Sequence, residues 1–350
     1  MTIYAFDFFC GAGGLTRGLL DAGIKVLAGF DFDEKCRETY EYNNPGVRFV
    51  HADIRNISSW DLKKYARGKK ISQMLFAACA PCQPFSKQLK GSKRRQDATL
   101  LLEFGRLVQA SSPGLILMEN VPGIAQVKGN STFRRFLSML EDQNFNYLYE
   151  ILDAKQFGVP QNRRRLILIA MKGVKPSLPK PKHGYGLLPY RTVRLAISHF
   201  PPIKAGEAHP DIFNHVASPL SQLNMERIRH TPNNGGDRRS WPKHLWLECH
   251  TRGYDGHTDV YGRMLWDAPA PTLTGKCHSL SNGRYGHPTQ NRAISLREAA
   301  ALQSFPDGYV FLGPKNHIGL QIGNAVPVRL AEVLGKQIIR LQNREELFIN

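Results

Sequence analysis

An α/β fold with a mostly parallel, doubly wound sheet and a smaller, loop-rich second module is predicted by three features of this 350-residue sequence. Short apolar runs alternate with amphipathic stretches as far as Met171, the texture then turns proline-rich and basic, and helical periodicity returns near the end. A hydrophobic content of 42% is enough to bury a core.

The strand candidates are Ile3 to Phe9, Val26 to Phe30, Met74 to Ala78, Leu115 to Met118, Tyr147 to Leu152 and Leu166 to Ala170, with a shorter apolar run at Phe49 and Val50. Between them, Leu15, Leu19 and Ala22, and then Leu100, Leu101, Phe104, Leu107 and Val108, recur at helical spacing and would cover the sheet faces. From Lys172 to Gly262 lie ten of the 22 prolines, with 13 Lys and Arg against seven Asp and Glu, which marks a separate module. Ser295 followed by Glu298 is a capping-box pattern opening a helix, and Val328 to Leu341 is periodic again. The domain boundaries expected are 1–180, 181–312, and a segment 313–350 that returns to the first domain.

A net charge of +18 favours a polyanionic partner, nucleic acid first. The start has neither a basic n-region nor an apolar stretch of spanning length, so the chain is expected in the cytoplasm, without a membrane partner. In a reducing compartment the six cysteines are thiols, metal ligands or nucleophiles before they are disulfides.

Chemistry concentrates in a few places. The run from Asp7 to Gly14 puts Gly11, Gly13 and Gly14 in a turn between a strand and a helix, where backbone can approach a ligand closely. The spacing is not that of a dinucleotide loop, which suits a nucleoside without phosphates. Asp31 ends the second strand and can accept ribose hydroxyls; Asp53 can accept an adenine amino group; both can equally cap helices. Cys79 and Cys82 form a C-x-x-C, but no second pair exists, and Cys249, His250, His257, Cys277, His278 and His287 lack finger spacing. Cys79 reads as a small core residue and Cys82 as the exposed thiol. Glu119 ends another strand, and Arg163 and Arg165 share one face of an extended segment entering the last strand.

In this order the motifs resemble those of the cytosine-5 DNA methyltransferases, bacterial or phage type, over nearly the whole chain. The family's P-C-Q is similar to Pro81-Cys82-Gln83, its E-N-V to Glu119-Asn120-Val121, and its Q-x-R-x-R to Gln161, Arg163 and Arg165. Arg263 with Pro271 to Thr274, and then Gln321 to Pro327, resemble its closing motifs. Two departures stand out: Asp31 replaces the usual Glu, and Ala78-Cys79-Ala80 replaces the common glycine and proline.

The resemblance implies a Rossmann-like methyltransferase core with a target-recognition domain, and S-adenosylmethionine as cofactor, with no metal. It implies a cofactor site of Phe9, Gly11, Gly13, Gly14, Leu15, Asp31, Phe32, Asp53, Ile54, Leu100, Asn324 and Ala325. Cys82 would add to carbon 6 of a flipped cytosine, with Glu119 at ring nitrogen 3 and Arg165, helped by Arg163, at the carbonyl oxygen. Gln83, Ser86, Lys87, Arg94 and Arg95 would close on double-stranded DNA beside the nucleophile, and Arg238 or Arg239 would read guanine edges. The expected enzyme is monomeric, sequence-specific and nucleoid-associated, either free-standing or paired with a restriction endonuclease that shares its site without touching it. A transfer-RNA substrate would call for a Cys-Phe-Thr tripeptide in the recognition region, which is absent. A nicotinamide oxidoreductase would call for the missing G-x-G-x-x-G, and a binding protein without catalysis would not need Cys82, Glu119 and Arg165 together.

Overall fold

The computed structural model describes residues 2–81, 93–125, 132–251 and 259–349. By internal contacts the chain forms two units: Met1–Phe157 with Arg164–Pro181 and Val326–Asn350, and Gly158–Arg163 with Lys182–Ala325. The stretch 313–325, grouped with the C-terminal segment on sequence, thus belongs to the second unit up to Ala325.

The first unit runs β1 (Tyr4–Phe8), α1 (Gly14–Ala22), β2 (Lys25–Asp31), α2 (Arg37–Asn43), β3 (Arg48–His51), α3 (Ser59–Tyr65), β4 (Leu75–Ala78), α4 (Lys93–Ser111), β5 (Leu115–Asn120), α5 (Thr132–Glu141), β6 (Phe145–Asp153) and β7 (Arg164–Lys172). The second supplies α6 (Val193–Ile197), α7 (Gln222–Arg229), α8 (Glu248–Thr251), α9 (Leu296–Leu302) and α10 (Lys315–Asn324), after which α11 (Val328–Ile349) rejoins the first.

The seven strands lie in the order β3-β2-β1-β4-β5-β7-β6. All neighbours pair in parallel except at β7, which is antiparallel to both β5 and β6. The order reverses between β1 and β4, and right-handed crossovers on the two sides of that point place α1 and α2 opposite α4 and α5. Even-numbered residues of β1, β4 and β5 face α4 and α5 in the main core, where Phe8 packs on Phe30, Phe76 and Phe104 with ring centroids 5.1, 5.2 and 5.4 Å apart. Odd-numbered residues of the same strands take the other face, and Glu119 is among them. Among the described residues no helix is long and apolar enough to cross a membrane.

The second unit is poor in regular structure and holds its loops with buried arginines. Arg263, 1% exposed, donates to the carbonyls of Ile228, Thr231, His287 and Gln290 and to Asn291 Oδ1. Burial pushes its guanidinium down to about 10. Arg292 pairs with Glu298 at 2.7 Å through both guanidinium ends. Glu298 also closes the predicted capping box, with Ser295 N donating to it at 2.6 Å and its own N donating to Ser295 Oγ at 3.0 Å. Burial is the largest single influence and works to raise the Glu298 carboxyl, but the hydrogen bonds and charge of Arg292, with His287 and the Ser295 amide, together outweigh it and hold the carboxyl low.

α1 and α11 cross at glycine. A Cβ on Gly18 would stand 2.4 Å from Ala331 Cβ and 2.5 Å from the Val328 carbonyl, and one on Gly335 would stand 2.7 Å from Ala22 Cβ. Backbone cannot yield as a side chain can, so Gly18→Ala should destabilise the fold by roughly 1 to 3 kcal/mol through forced separation of the helices. Chemical unfolding measures this, and an unchanged midpoint would contradict the crossing.

Candidate active site

Register brings three side chains to one face at the carboxyl ends of β4 and β5. In the parallel β4-β5 pair Ala78 stands beside Met118, so Cys79 comes next to Glu119. In the antiparallel β5-β7 pair Glu119 stands opposite Ile167, and Arg165 is two residues along β7 on the same face, the diagonal neighbour of Glu119. Arg165 Nε lies 2.9 Å from Glu119 Oε1, with the two side chains 14% and 4% exposed. Cys79 donates its thiol to Glu119 Oε2 at 3.1 Å. The approach of Arg165 is charge to charge without hydrogen-bond geometry, and Oε1 accepts no hydrogen bond from a described residue. Cys79 is therefore more than the small core residue that the sequence suggested: it is only half-buried and touches a carboxylate.

Asn120 turns to the opposite face. Its Nδ2 donates to the Ala80 carbonyl at 3.3 Å while its Oδ1 accepts from Val121 N at 2.8 Å, which braces the backbone just ahead of Pro81. Cys82, Gln83, Ser86 and Lys87 lie outside the described residues, and Arg94 and Arg95 are described only as backbone in the first turn of α4.

Arg163 is placed differently from its expected role beside Arg165. It belongs to the second unit, is 2% exposed, and donates to the carbonyls of Leu273, Gly323 and Ala325 at 3.1 to 3.2 Å. A guanidinium committed to three carbonyls holds backbone in place. Gln161 does similar work, donating to Leu302 O and Gln303 Oε1 and accepting from Leu273 N. Spacing showed that two arginines share a face, but not that the chain passes from one unit to the other between them.

The Gly11 loop is strained open. Phe9, Gly11 and Gly13 have φ of 60°, 49° and 88°, and Gly13 is the left-handed residue at which α1 begins. A Cβ on Gly11 would meet no atom within 4 Å, so the loop offers open backbone. Asp31 Oδ2 accepts from Gly11 N at 2.7 Å and Oδ1 from Asp33 N at 2.8 Å, tying this loop to the end of β2. Each carboxylate oxygen keeps a second lone pair for a ligand hydroxyl. Burial raises the Asp31 carboxyl against the lowering effect of the Asp33, Gly11 and Phe32 amides. Phe32 next to it is 70% exposed, a large apolar ring left facing outward. Leu15 is buried in α1, and Leu100 is half-buried against the main core.

Asp53 caps a short 3₁₀ turn, accepting from Arg55 N, and its carboxylate is paired with the Arg55 guanidinium, which holds it below its ordinary range. Ile54 is buried beside it. Arg106 on α4, which sequence did not single out, donates to the carbonyls of Ile54 and Ile57 at 2.9 and 3.0 Å and so fixes this turn. No local pattern announces such a contact. Asn324 ends α10 in the second unit, exposed, and Ala325 follows it, its carbonyl taken by Arg163. In the same unit the Arg239 guanidinium is exposed and paired with Asp237, and Gly235 at φ 102° supports a tight turn before Arg238.

The family model for C-5 cytosine-specific DNA methylases matches residues 3–340. The Type II methylase M.HgiDII of Herpetosiphon aurantiacus is 40% identical over 95% of this chain and 94% of its own length. The Type II methyltransferase M1.HphI of Haemophilus parahaemolyticus is 33% identical over 99% and 89%. A candidate DNA modification methyltransferase encoded within an E. coli prophage shares the fold, with a TM-score of 0.77 at 23% identity over 98% of this chain and all of its own.

Asp7 lies beneath the glycine loop, fully buried, accepting from Thr16 Oγ1 at 2.6 Å, with the Tyr40 hydroxyl donating in turn to Thr16 at 2.8 Å. Burial raises its carboxyl from 3.8 to about 7 against the lowering hydrogen bond from Thr16. The folded state thus keeps a proton that the unfolded chain has lost, and stability falls as pH rises from about 4 to about 7. Asp7→Asn should remove that part of the slope, on the order of 4 kcal/mol at most. Denaturant unfolding of both proteins across this pH range checks it; parallel curves would contradict the buried, protonated carboxyl.

Proposed function

This chain belongs to the C-5 cytosine-specific DNA methylase family and is a DNA (cytosine-5)-methyltransferase, and we propose that Cys82, Glu119 and Arg165 carry its chemistry, with Arg163 as a positioning residue. The observation that carries this reading is the buried Glu119–Arg165 pair, a carboxyl and a guanidinium side by side at the strand ends.

Carbon 5 of cytosine is a weak nucleophile, so catalysis must add electron density to it. Addition of the Cys82 thiolate to carbon 6 does so, and the charge appears on ring nitrogen 3 and the carbonyl oxygen. A proton held by Glu119 meets nitrogen 3, and the Arg165 guanidinium meets the oxygen, so both sites of developing charge find a fixed partner. Carbon 5 takes the methyl group, and its proton is then lost to a base or to water, so that the electrons of that C–H bond restore the C5–C6 double bond as the Cys82 thiolate departs. Because carbon 6 is covered in stacked DNA, the target nucleotide is flipped out of the duplex.

The open Gly11 loop, the Asp31 carboxylate and the exposed Phe32 ring suit a nucleoside cofactor, with Gly13, Gly14, Leu15, Asp53, Ile54 and Leu100 as further contacts. S-adenosylmethionine, when bound, supplies the methyl group on an electrophilic sulfonium. The enzyme is read as a monomer acting on a specific site in double-stranded DNA in the cytoplasm, within a restriction-modification pair. Gln83, Ser86, Lys87, Arg94 and Arg95 are assigned to the DNA beside the target, and Arg238 and Arg239 to base edges, Arg239 after release from Asp237.

Cys82→Ala should lower methyl transfer by on the order of 10³-fold or more while DNA binding stays within a few-fold. DNA with 5-fluorocytosine at the target should trap the wild-type protein covalently, since fluorine cannot leave as a proton does. Denaturing electrophoresis reads this, and turnover by Cys82→Ala near the wild-type rate would overturn the covalent route.

A further inference from the structure

The two oxygens of Glu119 are in different states. Oε2 is engaged by the Cys79 thiol at 3.1 Å, whereas Oε1 is buried, faces the charge of Arg165 and accepts no hydrogen bond from a described residue. Nothing intrinsic to a glutamate keeps them apart, because its terminal torsion is broad and two-fold and exchanges the oxygens readily. A carboxyl that must present its proton to a single ring nitrogen loses productive geometry with each exchange.

We propose that Cys79 is a positioning residue, whose S–H keeps Oε2 as an acceptor and thereby leaves Oε1 to face nitrogen 3 of the flipped cytosine. Register makes this arrangement possible: the residue following β4 falls beside Glu119 in the parallel pair, and the Cys79 thiol, one bond beyond Cβ, reaches Oε2 from there. The neighbouring Asn120 donates to the Ala80 carbonyl, so the two residues that end β5 are both tied to the segment that follows β4. The proposal rests on the assignment of Glu119 to nitrogen 3.

Three variants separate the outcomes. Cys79→Ala should lower kcat by about 5- to 20-fold, the effect of one lost hydrogen bond. KM for DNA and for S-adenosylmethionine should stay within about twofold, as expected when only an interaction made in the transition state is lost. Cys79→Ser, which restores a donor, should recover kcat to within about threefold of wild type. The infrared difference between wild type and Cys79→Ser isolates this thiol, and its S–H stretch should lie below that of an unbonded thiol. A wild-type kcat in Cys79→Ala, a Cys79→Ser variant as slow as Cys79→Ala, or an unshifted S–H band would each overturn the proposal. Glu119→Gln is the separate arm: a wild-type kcat there overturns the assignment of Glu119 itself, whereas a slow Glu119→Gln beside an unimpaired Cys79→Ala overturns only the role of Cys79.

Discussion

Arg165 reaches Glu119 because one strand runs against the rest. β7 lies between β5 and β6 and is antiparallel to both, so the chain enters it at the end where the parallel strands finish. Were β7 parallel, its first residues would sit at the opposite edge of the sheet, about a strand length from the ligand side. The reversal places a guanidinium diagonally across from the carboxyl of Glu119, a residue 3% exposed, at a depth where each group needs a polar partner. Cys79 engages the second oxygen of this pair, while at other strand ends Asn120 braces the turn after β4 and Asp31 ties down the glycine loop after β1.

The second unit solves another problem, that of holding long irregular segments without many strands or helices. One of its apolar clusters is built around Ile228, Trp241, Leu245 and Tyr261. Buried arginines supplement it by collecting carbonyls that would otherwise lack donors: Arg263 takes four, and Arg163 takes three. Such groups lose solvation on burial and recover it through several hydrogen bonds at once, so their contribution is specificity of loop geometry more than net stability.

Much of this was legible in the sequence because periodicity reports burial. All seven strands correspond to apolar runs, the Ser295 capping box is present, and the turn from Asp7 to Gly14 sits between β1 and α1. Glu119 and Arg165 were legible from motif order. The direction of β7 was not, since a buried strand reads the same either way. Nor was the fate of Arg163, because alternation assigns a face but not the unit that a chain is entering. Cys79 was passed over because it read as a small core residue, and its contact with Glu119 depends on a register that no single segment encodes. Arg106 escaped for a similar reason: its carbonyl partners are about fifty residues earlier in the chain.

The central claim is that this arrangement acts on carbon 5 of cytosine, and identification of the product tests it most directly. DNA incubated with the protein and S-adenosylmethionine carrying a deuterated methyl group is digested to nucleosides and analysed by mass spectrometry. The account predicts label in 5-methyl-2′-deoxycytidine alone. Label in N4-methylcytidine or N6-methyladenosine deoxynucleosides would contradict it, because an exocyclic amine needs neither a thiolate at carbon 6 nor the Glu119–Arg165 pair.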